Sequence, residues 1–184
     1  MYTKMNSGKL TSNLEIIKKQ IAEQEAEAGQ KKGTVKLIAV SKTKPIDKIM
    51  PVINEGQLHF GENKVQEAVS KWQEFKEENK AINLHLLGPL QSNKVKKVFG
   101  LFDYIHSLDR NSLAEKLSDE AQKKGFCPKI FIQVNTGLEQ QKAGIEPEKI
   151  NDFIKTVRNF MDLNLVGLMC IPPINDAPET HFKF

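Results

Sequence analysis

The sequence predicts an α/β fold built on a parallel sheet, because short apolar runs alternate with amphipathic helical segments along the whole chain. A second observation bears on which parallel architecture this is. Polar residues able to do chemistry follow nearly every apolar run, at Lys42, Asn63, His85, Ser107, Asn135 and Met169. That spread favours a barrel, whose site is assembled from many strand ends, over a doubly wound sheet, whose site lies at one switch point. Composition alone does not choose between them.

The elements follow in order. Leu14, Ile17 and Ile21 recur at helical spacing among Lys, Glu and Gln, which predicts an amphipathic helix over about 10–30, ended by the Gly29 to Gly33 stretch. Residues 35–40, VKLIAV, form a nearly continuous apolar run and read as a strand buried on both faces. The alternation then repeats: a helix over 46–55, a strand over 58–60, a helix over 64–79, a strand over 84–87 and a helix over 92–98. Strands over 104–106, 129–134 and 165–170 alternate with helices over 112–124 and 147–160, completing six β/α units.

Length and composition fit one domain, residues 1–184, since 39% apolar and 27% charged residues suit a globular chain with a real core. The net charge of +4 comes from lysines interspersed with glutamates, without a nucleic-acid-binding motif, so no nucleic-acid partner is expected. Cys127 and Cys170 lie far apart with no ligand spacing, which predicts neither a disulfide framework nor a metal site and suits a reducing cytoplasm. No window is apolar enough for a membrane span, so no membrane partner is expected. Neither a GxGxxG nor a Walker A pattern is present.

Among the candidate site residues Lys42 is the sharpest. An amine at the end of a buried strand is pushed toward its neutral, nucleophilic form by desolvation, and Lys44 adds a like charge nearby. A pair of solvated loop lysines reads as well from spacing alone. Asn63 follows Gly61, where the backbone can be approached closely, and offers both a donor and an acceptor; it equally suits a helix N-cap. His85 points either into the barrel mouth or into the core. Lys142, on the loop after the fifth strand, can reach a ligand at the mouth or remain on the surface.

Five segments in register carry a resemblance. Residues 39–45 (AVSKTKP), 60–63 (FGEN), 88–94 (GPLQSNK), 142–144 (KAG) and 167–173 (GLMCIPP) closely resemble the pyridoxal phosphate homeostasis protein family, with the match running from about Val35 to Phe184. The resemblance implies a (β/α)8 TIM-type barrel of the alanine racemase N-terminal-domain type. It also implies pyridoxal 5′-phosphate held as a Schiff base on Lys42, with Asn63, His85 and Met169 as further cofactor-binding residues. The implied role is homeostasis of the cofactor in the cytoplasm without established turnover, with enzymes that accept pyridoxal phosphate as partners and a monomeric state. Racemisation on such a scaffold needs a second acid/base group, and the chain's tyrosines, Tyr2 and Tyr104, are poorly placed for it.

The sequence departs from the family at its C-terminal side. Relatives carry a Ser-Met-Gly-Met-Ser type motif on a seventh strand and an Arg-Ile-Gly type motif on an eighth, and this sequence contains neither. The resemblance implies that these segments supply most of the phosphate cup, so weak, easily reversed cofactor binding is expected. About six of eight β/α units are therefore expected, with strands 7 and 8 absent, and inner-face apolar residues such as Leu37, Ala39, Leu165 and Leu168 exposed. The other readings are a low-activity pyridoxal-phosphate-dependent amino-acid racemase or decarboxylase, and a non-functional fragment.

Overall fold

The computed structural model describes residues 7–173 and 177–182. Helix α1 (Ser7–Glu27) leads into β1 (Ala39–Val40), α2 (Ile46–Asn54), β2 (His59–Glu62), α3 (Val65–Glu78) and β3 (Asn83–Leu86). A 3-10 turn (Ser92–Lys94) opens the short α4 (Val95–Val98), followed by β4 (Tyr104–Leu108), α5 (Asn111–Lys124) and β5 (Lys129–Val134). A second 3-10 turn (Pro147–Lys149) opens α6 (Ile150–Val157), and β6 (Asn164–Cys170) closes the sheet. No helix among the described residues is long and apolar enough to cross a membrane.

The six strands are all parallel and stand in sequence order, β1-β2-β3-β4-β5-β6. Sequential order excludes the doubly wound arrangement, which reverses direction at a switch point. Right-handed crossovers taken in one direction put every helix on the same face, as in the wall of a β/α barrel.

Register then sorts the side chains. Phe60 pairs with Leu84, Ile105 with Ile130 and Ile130 with Leu165, on the face covered by the helices. Phe60, Leu84, Ile105 and Ile130 are almost fully buried there, with Trp72 of α3, Val98 of α4, Leu113 and Leu117 of α5, and Val157 of α6. Each such side chain contributes about 1.5–3 kcal/mol, so this layer is the core. The opposite face carries His59, His85, Tyr104, His106 and Phe131, in ring contact with one another.

Three expectations need correction. The first strand is two residues long instead of six, and Val35 and Val40 are 48% and 53% exposed rather than buried on both faces. As an edge strand β1 has only β2 beside it, and among the described residues no strand pairs with its other side. Ala39, Leu165 and Leu168 are not inner-face residues: they pair with Phe60, Ile130 and Ile132 and so belong to the helix-facing side. Helix α1 ends at Glu27 and not near 30, because the buried carboxylate of Glu25 accepts the N–H groups of Gly33 (2.8 Å) and Val35 (2.7 Å) and turns the chain toward the sheet.

Candidate functional site

The turn after β1 is held by side chains from β2 and α3. Ser41 N–H donates to Gly61 O at 2.9 Å, carrying the ladder one residue past the strand. The Ser41 hydroxyl donates to Glu62 Oε1 at 2.6 Å. Lys71 Nζ, one helical step from Glu67, donates to Ser41 O (2.8 Å), Glu62 Oε1 (2.9 Å) and Glu67 Oε1 (3.2 Å). Trp72 Nε1–H also donates to Glu62 Oε1, at 2.9 Å, while the buried Oε2 has no partner among the described residues.

Thr43, directly after Lys42, has φ of 63°. A β-branched residue rarely adopts the left-handed region, and holding one there costs of order 1–3 kcal/mol. The compensation is visible: Thr43 N–H donates to Glu67 Oε1 at 2.5 Å. This bond, with Lys71 beside it, holds the Glu67 carboxyl below the usual carboxylate range. Lys42 thus sits between two tethered residues, Ser41 and Thr43, with its own side chain exposed.

At the C-terminal ends of the strands lies a cavity of about 330 Å³, lined by Asn63, Leu87, Gly88, Gln133, Asn135, Gln141, Lys142 and Ile171 among others. Residues following β2 and β3 meet Gln133 and Val134 of β5 and Ile171, just past β6, across it, which requires the sheet to curl strongly. One glycine, Gly88, lines it, and a second, Gly144, lies on the loop after β5 next to the lining residue Ala143. A Cβ on Gly88 would lie 2.2 Å from Asn63 O, and one on Gly144, at φ of 129°, would lie 2.7 Å from Asn135 N. Asn135 folds the following loop over β5: its Nδ2 donates to Glu139 O (2.9 Å) and Lys142 O (3.3 Å), and its Oδ1 accepts Glu139 N–H (3.2 Å). Lys142 Nζ pairs with Glu139 Oε1 at 2.5 Å and donates to Ile171 O at 3.4 Å.

Deeper on the same face runs a chain of imidazoles. His59 Nδ1 lies 2.9 Å from His85 Nε2, and His85 Nδ1 lies 2.9 Å from His106 Nε2. Tyr104 stacks on His85 at 4.2 Å between centroids, and Phe131 stacks on His106 at 4.4 Å. Burial pushes His85 down to about 3 and His106 down to about 4. Both rings are therefore neutral near pH 7, as a chain with one proton in each N–N contact requires.

The four candidate residues fare differently. Asn63 lines the cavity. Lys42 follows Ser41, whose N–H is bonded to Gly61 two residues before Asn63, and does not itself line the cavity. Met169, half-buried, is the register partner of Gln133, which does line it. His85 stands apart: it lies within β3 rather than beyond it, 4% exposed, with both ring nitrogens engaged and one ring face covered by Tyr104. Two residues on, Leu87 occupies the mouth position. Sequence reading missed Glu62, Glu67, Lys71 and Gln133. The four-residue spacing of Glu67 and Lys71 on a helix was the available signal for part of that set.

A sequential parallel sheet with helices on one face and its polar cavity at the strand ends defines a domain of the β/α-barrel type. The family model for the alanine racemase N-terminal domain matches residues 7–183. The chain is 40% identical over 173 residues to the pyridoxal phosphate homeostasis protein of Haemophilus influenzae, covering 94% of this chain and 73% of that protein. Against the structure titled as PipY of Synechococcus elongatus with PLP bound, it gives a TM-score of 0.71 and 38% identity over 87% of this chain and 74% of that one. The crystal structure of an unknown protein from Bifidobacterium adolescentis superposes with a TM-score of 0.88 at 30% identity, covering 98% and 76% of the two chains. The chain belongs to the alanine racemase N-terminal domain family and, within it, to the pyridoxal phosphate homeostasis proteins.

Proposed function

We propose that this chain binds pyridoxal 5′-phosphate covalently through Lys42 and serves the intracellular homeostasis of that cofactor rather than amino-acid turnover. The observation that carries the reading is Lys42 on a tethered turn, with Ser41 before it bonded to Gly61 on the strand that leads to Asn63 of the cavity. Family membership supports it, since relatives carry the homeostasis name and PipY of Synechococcus elongatus has been solved with PLP bound.

The residues present fit the group. The cavity lies at the small end of the about 300–1,000 Å³ typical of ligand clefts. Its walls carry the amide of Asn63 and the cation of Lys142, which Glu139 already pairs, while the amides of Gln133, Asn135 and Gln141 donate within the loop after β5. When bound, the cofactor supplies an aldehyde that condenses reversibly with a primary amine. In this reading Lys42 provides that amine, Asn63 orients a polar ring substituent, and Met169 packs from the β6 side. His85 supports the wall from behind through its neighbours instead of touching the ligand.

Tyr104 bears on the choice between binding and catalysis. It is the first residue of β4, at the strand end opposite the cavity, and its hydroxyl accepts from Lys129 Nζ at 3.1 Å. Its ring is stacked on His85, which leaves it badly placed as a second acid/base group. Tyr2 lies outside the described residues. Release of the cofactor to acceptor enzymes, a cytoplasmic setting and a monomeric state complete the proposal.

Titration of the purified chain with pyridoxal phosphate, followed by visible absorbance and by chiral assay of several amino acids, tests it. A saturable absorbance change without turnover is expected. Sustained racemisation or decarboxylation would replace the homeostasis reading with an enzymatic one.

A further inference from the structure

We infer that Glu67 and Lys71 are positioning residues for Lys42: they fix the turn from which its amine meets an aldehyde, and so set the rate and equilibrium of that bond. The inference rests on the cofactor reading above. In the bond-forming step the Lys42 nitrogen joins the aldehyde carbon, and two protons of the neutral amine leave with the aldehyde oxygen as water.

Lys42 is exposed, so its own burial does not orient it. Its neighbours on both sides are bonded instead. Ser41 is tied through its carbonyl to Lys71 and through its hydroxyl to Glu62. Thr43 is tied to Glu67, and Lys71 bridges Glu62 and Glu67, joining the two tethers into one clamp. Thr43 adopts a backbone conformation it would leave if released. A buried ion pair is a poor source of plain stability, since apolar residues of similar volume commonly hold a fold as well. What this pair supplies is direction: its bonds end on the two peptide units flanking Lys42. A pre-oriented amine loses less freedom on reacting, and so reacts faster and further.

Glu67 is the place to test this, because its side chain is 27% exposed and is not one of the buried core residues. Glu67→Ala removes the acceptor for Thr43 N–H, whereas Glu67→Gln keeps an oxygen there. The readouts are the rate and extent of borohydride-trapped pyridoxal phosphate on Lys42 by peptide mass, and amide hydrogen exchange at Thr43. We expect Glu67→Ala to weaken trapping about tenfold and speed Thr43 exchange, with Glu67→Gln within about twofold of the parent in both. If Glu67→Ala fails to fold, Glu67→Asp, which withdraws the carboxylate while keeping its charge, is expected to show the same loss. Equal trapping in the parent and the acceptor-deficient variant overturns the inference alone. No trapping on Lys42 in the parent, with Thr43 still protected, overturns the cofactor reading and the inference with it.

Discussion

The carboxylate of Glu67 accepts the amide N–H of Thr43 at 2.5 Å across 24 residues of chain, and Thr43 holds φ of 63° at the position immediately after Lys42. A strained residue beside the one amine the family resemblance singles out ties the local backbone to the proposed chemistry. Several measurable consequences come from that turn, from the cavity walls and from the histidine chain.

Thr43→Gly is expected to be tolerated, changing stability by less than about 1 kcal/mol, because glycine enters the left-handed region without a Cβ conflict but loses more chain entropy on folding. Thr43→Pro is expected to lose about 3 kcal/mol or more, since it removes the N–H that Glu67 accepts and forces φ negative. Urea unfolding of both variants distinguishes a strained turn from a relaxed one, for which glycine would have no such advantage.

Lys71→Met leaves Glu62 buried without its cation, and a loss of about 3–5 kcal/mol is expected. The double variant Glu62→Gln, Lys71→Met removes the stranded charge and should recover a substantial part of that loss. Additive losses in a double-mutant cycle would show that the two side chains are not coupled.

Gly88→Ala puts a methyl group 2.2 Å from Asn63 O, and Gly144→Ala puts one 2.7 Å from Asn135 N. In both cases the contact is backbone and must shift, at a cost of about 1–3 kcal/mol. Because these glycines bound the cavity or its covering loop, cofactor retention in equilibrium dialysis should fall in both, while alanine at the exposed Gly100, where a Cβ meets nothing within 4 Å, should leave retention unchanged.

The buried histidines predict an acid-side slope in stability. Burial lowers His85 to about 3 and His106 to about 4 from 6.5, so between those values the unfolded chain binds protons that the folded chain does not. Stability is therefore complete above about pH 6.5 and falls as pH drops toward about 4, by up to about 1.4 kcal/mol per pH unit for each histidine. His106→Phe, stacked on Phe131, should flatten that slope in denaturant titrations at stepped pH. An unchanged slope would mean that His106 does not contribute to the acid response.

The sequence made the order of elements legible because each buried strand reads as a compact apolar run, and 129–134 emerged with the same bounds in the structure. The first strand misled, since VKLIAV is as apolar as a central strand yet lies at an edge, and no local pattern reveals how many neighbours a strand has. Asn63 was legible from its place after Gly61. His85 carried no sign of its two imidazole partners, which come from strands 26 residues before and 21 residues after it. The clamp on Lys42 was hidden for the same reason: Ser41, Glu62 and Lys71 meet only when β1, β2 and α3 are assembled.

The most direct test of the central claim is to incubate the chain with pyridoxal phosphate, reduce with borohydride and map the modified residue by peptide mass spectrometry, with Lys42→Ala alongside. Modification concentrated on Lys42 and lost in Lys42→Ala is the expected result. Labelling scattered over surface lysines, unchanged in Lys42→Ala, would contradict a cofactor site on this turn.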